Sequence, residues 1–537
     1  MKFLKTVMKD VLYISKITGT KNKKILVAAS VLFSQLAAII DVFLIGLFAY
    51  LIADQKTNIN FLDSIALFFN DYKFLILLIV FFRFFCLFIQ SYILRRIEFT
   101  VTKNLKEYVL RNIFERRSYS TSDAYFYTNE LSSHLGYFYS NFASFLNSVL
   151  NVVFYSGYLV VSNLQILLVF GLGLLALFYP IKSLIRISRN YVNKSYFISK
   201  DSMSEIERVV ENLFLIKILK KEKDELNTFS NTLGVLNSLQ LSKHNFGVIN
   251  GYLPSFLTLT ILSIILIFFN SVRLTLDFIG VTLKLFGSIA AVTSAFSNII
   301  NSHVHIQKFK ELGFDKVNPY AKNFIIDSKN HIELKGVNFR YQNSNDFIFE
   351  DLDLTFEKGK HTILTGENGT GKSTLLGLIA GIYYPQNGTV TSYSNKFGYV
   401  SAQPYIFRDT LLNNILYGHE QLNLSEIEIL EKLEEFNTFK DEKDYALDRI
   451  VSNKTLSSGQ MQKIGFIRIL LSNPDIILLD ESTSNLDTYS KKIVFENLKL
   501  NKSTVINSTH DPDNFDFVDH HVDIQMKEDR RSLIKKF

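Results

Sequence analysis

Ten residues, TGENGTGKST at 365–374, hold three glycines, a lysine and four hydroxyl-bearing residues. Gly366, Gly369 and Gly371 let the backbone turn its N–H groups toward phosphate oxygens, and Lys372 reaches the β- and γ-phosphates. The Ser373 hydroxyl is placed for Mg²⁺, and the N-terminus of the following helix adds partial positive charge. Glu367, Asn368, Thr370 and Thr374 complete the loop. The flanks are those the pattern requires: the strand-like HTILT before it and the helix-like KSTLLGLIAGIY after it. A chance glycine-rich turn would not come with both. The implied ligands are the phosphates of a nucleoside triphosphate and Mg²⁺.

About a hundred residues on, DIILLDE (475–481) is an apolar run ending in two acids. A parallel strand buried on both faces has this composition. Asp480 is placed to hold Mg²⁺ through water, and Glu481 to polarise an attacking water. Gln403, in VSAQP, ends another strand and is placed to reach metal and water. His510 ends the strand STVINSTH, within reach of a γ-phosphate. Tyr341 offers a ring for adenine, and Asp487, in SNLD, follows Glu481 closely. A lone Gln, His or Tyr is more often a satisfied or packed residue. The order of these around one phosphate loop favours function.

LSSGQ (456–460) lies between Gln403 and Asp480. Taken together, GENGTGKST, the glutamine of SAQP, LSSGQ, LLDE, SNLD and the terminal STH resemble the ATP-binding cassette (ABC) family, in its order. In that family two cassettes meet head to tail. LSSGQ resembles the family's signature motif, and the resemblance therefore implies that Ser457, Ser458, Gly459, Gln460 and Asp487 of one chain close over the ATP held by the other. The physical requirement is a helix N-terminus facing a γ-phosphate. Ser457 supplies a hydroxyl and Gly459 close approach; Ser458 stands where glycine is more usual but adds no charge or large bulk. A plain helix cap would leave Gly459 and Gln460 unexplained. The segment DRIVSNKT (448–455) departs from the family's acidic, glycine-containing loop, which bears on coupling to a membrane domain. The stretch from Gly388 to Gln403 is short for the family, which points to one peripheral strand fewer.

The rest of the chain must carry this cassette. With 537 residues, 47% hydrophobic, 14% aromatic, 48 Phe and a mean hydropathy of +0.14, the chain reads as a membrane part joined to a soluble part. A span needs roughly 20 apolar residues to cross ~30 Å. Residues 131–181 contain no Asp, Glu, Lys or Arg, too long for one span, and Ser162-Asn163 offers a turn. Six helices are expected, at about 25–53, 74–96, 138–161, 164–187, 245–270 and 276–302, giving an all-α six-helix transmembrane domain over 1–320. An α/β P-loop cassette with a largely parallel sheet follows over 321–537, where short β-type runs alternate with helices.

Basic residues orient the spans. The first 24 residues carry seven lysines, and 182–243 carry eleven Lys and Arg, whereas the intervening connections are poor in them. Both termini and the cassette are expected in the cytoplasm. The net charge of +7 fits such loops and calls for no nucleic acid. The single Cys86 excludes an intrachain disulfide. Asp41, Arg83 and Lys284 fall inside spans, where charge is costly and often functional; an internal Asp41–Arg83 pair is as good a reading as a substrate contact.

Six spans before one cassette resemble a bacterial ABC exporter half-transporter. The first span and overall layout resemble, more weakly, flippases of lipid-linked oligosaccharides. The expectation is an ATP-driven exporter or flippase of the inner membrane, working as a homodimer or heterodimer on an amphipathic or lipid-linked substrate. The alternative is an ATP-binding membrane regulator or accessory subunit without transport of its own.

Overall fold

The computed structural model describes residues 2–19, 23–53, 68–69, 72–116, 120–162, 164–268, 275–313, 320–327, 330–341, 344, 346–419, 424–510, 512, 515, 517–527 and 530–536. It forms two compact units, 1–317 and 318–537.

The first unit is helical. Among the described residues, six helices run 31 residues or longer: α2 (Lys23–Ala53), α3 (Leu75–Arg116), α5 (Ser132–Ser162), α6 (Leu164–Glu211), α8 (Glu222–Phe268) and α9 (Leu276–Glu311). Shorter pieces are α1 (Lys2–Ile17), α4 (Thr121–Phe126), which runs into a π-turn at Tyr127–Leu131, and α7 (Leu213–Ile218). Within the described residues, Lys23–Leu51, Leu75–Phe114, Thr121–Val161 and Leu276–Glu311 are long and apolar enough to cross a membrane. The spans expected at 164–187 and 245–270 lie on α6 and α8, but the side chains of 162–178 and several of 258–268 are outside the described residues. Phe81, Phe84 and Phe88 stand exposed on α3, as lipid-facing residues do.

Beyond their apolar portions these helices continue instead of ending in loops. On α3 a four-residue stripe, Ile97, Val101, Leu105 and Val109, is buried against Phe126, Leu131, Leu135 and Phe138. Gly136 permits the close approach of α5 to α3: a Cβ there would sit 2.0 Å from Thr102 Oγ1. Helix α1 buries Val7, Val11 and Ile14 on one face. Its Asp10 accepts from Lys310 Nζ at 2.7 Å and meets His303 Nδ1 at 2.5 Å. Burial pushes the Asp10 carboxyl up, but His303 and Lys310 outweigh it and hold it below the ordinary range. Pro254, inside α8, removes the N–H that the Asn250 carbonyl would accept; Thr293 Oγ1 on α9 donates to that carbonyl at 3.5 Å.

The second unit is α/β. Its main sheet has the order β12-β11-β4-β10-β9-β6, from β4 (His361–Gly366), β6 (Phe397–Ser401), β9 (Ile476–Asp480), β10 (Thr504–Ser508), β11 (His520–Lys527) and β12 (Arg530–Lys536). All pairings are parallel except β11–β12. Strands β9 and β10 are buried almost throughout, as a covered parallel sheet requires. HIELKGVNFRY and FIFEDLDLTF belong elsewhere. They form β2 (His331–Phe339) and β3 (Phe349–Glu357) of a second sheet, β1-β5-β2-β3, with β1 (Phe324–Ile326) and β5 (Asn387–Ser392). The β2–β3 and β2–β5 pairings are antiparallel, and burial alternates along β3. Only Tyr393–Lys396 separates β5 from β6, and the short elements β7 (Asp409–Thr410), α11 (Leu411–Leu416), α12 (Glu426–Glu435) and β8 (Ile450–Val451) lie between β6 and β9.

Candidate functional site

Strands β4, β10, β9 and β6 are parallel neighbours, so their C-terminal ends lie side by side. Ser401, Asp480 and Ser508 are in register, and Ser508 also pairs with Leu364. The chain leaves these four ends as the 366–372 loop, His510, Glu481 and Gln403. Residues far apart in sequence thus meet along one sheet edge, where open parallel sheets bind ligands.

The loop is built by its glycines. Gly366 (φ 143°), Gly369 (φ 83°) and Gly371 (φ 100°) all take conformations that side chains resist. At Gly366 a Cβ would also lie 2.4 Å from the Ile524 carbonyl of β11. Thr370 is buried and its hydroxyl donates to the Glu367 carbonyl at 2.9 Å, closing the turn. Gly371 caps α10 (Lys372–Ile379), and the Lys372 ammonium donates to the carbonyls of Gly366 and Glu367 at 2.7 and 3.1 Å. Ser373 is exposed at the start of α10. Thr374 is buried and shares a 2.9 Å hydrogen bond with the Tyr341 hydroxyl. Tyr341, 41% exposed, makes T-shaped contacts with Tyr383 and Phe339 and keeps part of its surface accessible.

Glu481 takes a left-handed backbone (φ 51°), uncommon for a residue with a Cβ. Its N–H donates to Ser508 O at 2.9 Å, and the strained turn leads its side chain off the end of β9. There Oε1 lies 2.9 Å from His510 Nε2, both side chains being partly exposed. Asp480 precedes it and has no ion-pair partner among the described residues. Gln403 is exposed, its carbonyl taking the Ser401 hydroxyl at 2.8 Å. A serine hydroxyl, a glutamine amide and a free carboxylate are the hard oxygen donors that Mg²⁺ takes.

LSSGQ opens α13 (Ser458–Ser472). Ser457 is the N-cap: its Oγ accepts from Gln460 N at 3.3 Å, and Gln460 Oε1 accepts from Ser457 N at 2.9 Å. The reading that a helix cap leaves Gln460 unexplained is therefore corrected, since Gln460 closes a capping box. Gly459 also has an internal reason: a Cβ there would lie 2.9 Å from the Asn485 carbonyl. Asp487 caps α14 (Thr488–Leu500) through Ser490 N at 2.8 Å and pairs with Lys463 of α13 at 2.8 Å. Burial pushes the Asp487 carboxyl up, but Lys463 and the Ser490 N–H and hydroxyl hold it at about 2. Its oxygens thus brace the SNLD turn against the signature helix.

One residue missed by sequence reasoning ties these parts together. Gln462 is fully buried on α13. Its Nε2 donates to Ala402 O at 3.0 Å and Ser484 Oγ at 3.3 Å, and its Oε1 accepts from Asn485 N at 3.0 Å. It links the loops carrying Gln403 and Asp487 to LSSGQ, and a polar residue two positions past a signature is the only sequence hint. Gln462→Leu should leave those partners unsatisfied, lowering stability by about 1–3 kcal/mol. Thermal unfolding would show the loss, and an unchanged melting temperature would count against the linkage.

In the helical unit, Asp41 lies between two cations. Arg83 Nε is 2.5 Å from Oδ1, Lys284 Nζ 3.1 Å from Oδ2, and the Tyr155 hydroxyl donates to Oδ2 at 3.3 Å. The expected Asp41–Arg83 pair forms, and Lys284 shares it. The group continues a polar row on α5 at Asn147, Asn151, Tyr155 and Tyr158, which reach Ser30, Gln35, Asp41 and Asp277. Asp41→Asn would leave two cations without their carboxylate, each costing roughly 2.5–3.5 kcal/mol in a bilayer. It should reduce folded yield and detergent melting temperature more than Arg83→Ala or Lys284→Ala. Equal behaviour of the three variants would show that Asp41 is not the hub.

Residues 349–484 match the family model described as "ABC transporter". Curated proteins similar to the chain include "ABC transporter B family member 1" of Dictyostelium discoideum, 29% identical over 54% of this chain and 34% of that protein. "ATP-dependent permease MDL1" of Candida albicans is 37% identical over 33% of this chain and 29% of its own length. The "ATP-dependent lipid A-core flippase" of Coxiella burnetii is 30% identical over 38% of this chain and 40% of its own. The chain thus spans well under half the length of these relatives. A solved structure, a bacterial Atm1-family ABC exporter with ATP bound, matches the fold with a TM-score of 0.73 and 17% identity, over 93% of both chains.

Proposed function

With its ABC transporter domain behind a helical domain of the exporter fold, we propose that the chain is an ATPase half-transporter that exports or flips an amphipathic substrate. Six spans and both termini in the cytoplasm of a bacterial inner-membrane protein complete this reading. The carrying observation is the edge of four parallel strands that brings Lys372, Asp480, Glu481, His510 and Gln403 to one place. Mg²⁺ would be held by Ser373, Gln403 and Asp480, and it would neutralise charge on the β- and γ-phosphates. The 366–372 backbone and Lys372 hold the phosphates, with Tyr341 against the base. Glu481 orients water and takes its proton, steadied by His510. Two chains would meet so that the Ser457–Gln460 cap closes the partner's ATP, with Asp487 bracing it. Closure turns the substrate path outward, and hydrolysis resets it.

The substrate proposed is an anionic amphipath such as a lipid-linked pyrophosphate sugar. Two cations around one carboxylate leave Arg83 and Lys284 with a surplus positive charge for a head group. The purified chain in lipid vesicles should hydrolyse ATP and move a labelled anionic lipid between leaflets, with Arg83→Ala and Lys284→Ala losing the substrate-stimulated part. ATP binding without turnover would favour the regulator instead. Equal stimulation by a neutral lipid would remove the charge argument.

A further inference from the structure

A cavity of about 940 Å³ lies within the helical unit, walled by α6, α8, the end of α4, the π-turn and the adjoining ends of α5 and α9. It is separate from the Asp41 cluster, and its lining is graded. Along α8 the lining reads Phe229, Leu233 and Leu236, then Asn237, Gln240, Leu241 and Lys243, so from Phe229 to Lys243 it passes from wholly apolar to mainly polar and cationic over ~21 Å, Leu241 being the apolar residue of the polar part. Along α6 the order runs the opposite way, from Ser195 and Ser199 to Met203 and Ile206. The helices are antiparallel: Tyr191 stacks on Phe246 at 5.7 Å, and Thr232 donates to Glu205 at 2.9 Å. The two gradients therefore coincide, with serines beside the Lys243 end and apolar side chains beside the Phe229 end.

The polar end is built for a ligand. His134 and His305 stack face to face at 4.0 Å. His305 is 94% buried, and its Nδ1 has no hydrogen-bond partner among the described residues. Two imidazoles this close resist being charged together, and each neutral ring presents one N–H donor. Lys243 has no ion-pair partner among the described residues, and His244 stands next to it on the lining. Among the described residues Glu130 is the one acid of the lining, and it already accepts from the Ser199 hydroxyl at 2.7 Å. Asn129 and Glu130 enter from the π-turn, a device frequent at functional sites.

We propose that this cavity binds an amphipathic organic anion, its phosphate or carboxylate head at Lys243, His244 and the His134–His305 stack, and its apolar body along Met203, Ile206, Phe229 and Leu233. An unpaired ammonium with adjacent N–H and hydroxyl donors suits an anion, and the apolar stripe suits an alkyl or isoprenoid chain. The ligand's role as cargo rests on the exporter reading; the site itself does not.

The chain has no tryptophan, so Phe229→Trp gives a single reporter at the apolar end. The full chain, purified in a neutral maltoside detergent without ATP, would be titrated with dodecyl phosphate. A saturable shift of tryptophan emission is expected. Lys243→Gln in that background should weaken it about tenfold, with Lys243→Arg restoring it; His244→Gln, at an exposed position, should weaken it about threefold. Competition by inorganic phosphate would identify a soluble anion as the source, and its absence a lipid-like one. An equal response to dodecyl glucoside, or titrations unmoved by both Lys243→Gln and His244→Gln, would overturn the proposal. Because ATP is left out, a chain without transport activity would still bind the probe, and failure to bind would leave the exporter reading standing.

Discussion

Glu481→Gln should bind ATP as the unaltered chain does and hydrolyse it about a hundredfold more slowly. That factor corresponds to about 2.7 kcal/mol of barrier, the scale expected when a positioned base loses its ability to accept a proton. The substitution keeps the size of the side chain, so the left-handed turn at 481 and the bond from its N–H to Ser508 should persist. The amide can still meet His510, which lies 2.9 Å from the carboxylate. What changes is basicity, so binding and chemistry should separate. Phosphate release in lipid measures the second, and equilibrium binding of a fluorescent ATP analogue the first. His510→Ala should slow hydrolysis less, since it removes a partner that steadies Glu481 and leaves the base in place. Turnover unchanged in Glu481→Gln would take Glu481 out of its role.

The phosphate loop was legible because its chemistry is local. Gly366, Gly369, Gly371 and Lys372 sit within seven residues, and the flanking strand and helix are short-range patterns. Glu481 and His510 were legible through order alone; their mutual distance depends on β9 and β10 lying side by side, which no local pattern states. At LSSGQ the hydroxyl and the glycine point to phosphate contact, but residue type alone does not disclose that Ser457 and Gln460 also satisfy one another or that Gly459 makes room for Asn485. Gln462 shows why such a network escapes: its partners are backbone groups at 402 and 485 and a serine at 484, none marked by residue type.

The sheets show a similar divide. Strands β4, β9 and β10 were readable as apolar runs, whereas assigning β2 and β3 to a second sheet needs their pairing with β5. Alternating burial along β3 distinguishes it from the fully covered strands, but alternation does not name a partner. In the helical unit, hydropathy located apolar segments. It did not foresee that Arg83 and Lys284 share one carboxylate, because their helices meet at a distance in sequence. Nor did it locate the graded cavity between α6 and α8, whose stripe sits largely outside the apolar segments.

Ser457→Arg should abolish ATP-driven closure while leaving nucleotide binding to each phosphate loop nearly intact. Two effects combine at this position. The cap is lost, which costs helix stability about 0.5–2 kcal/mol, and a cation is placed at the positive end of α13, where it is repelled. If α13 faces a partner's γ-phosphate, the arginine also fills the space that closure must remove. Ser457→Ala separates the terms, since it loses the cap and adds no bulk or charge; it should hydrolyse ATP far better than Ser457→Arg. Disulfide trapping tests the geometry directly. Cys86 is buried and would first become serine. Gly369 is a poor site for a new cysteine because of its φ of 83°, so the exposed Asn368 is the better choice, paired with Ser458. Mixing chains that carry Asn368→Cys alone with chains that carry Ser458→Cys alone should give an ATP-dependent crosslinked dimer. The same crosslink forming only within chains that carry both cysteines would place the signature on its own nucleotide and end the head-to-tail assignment.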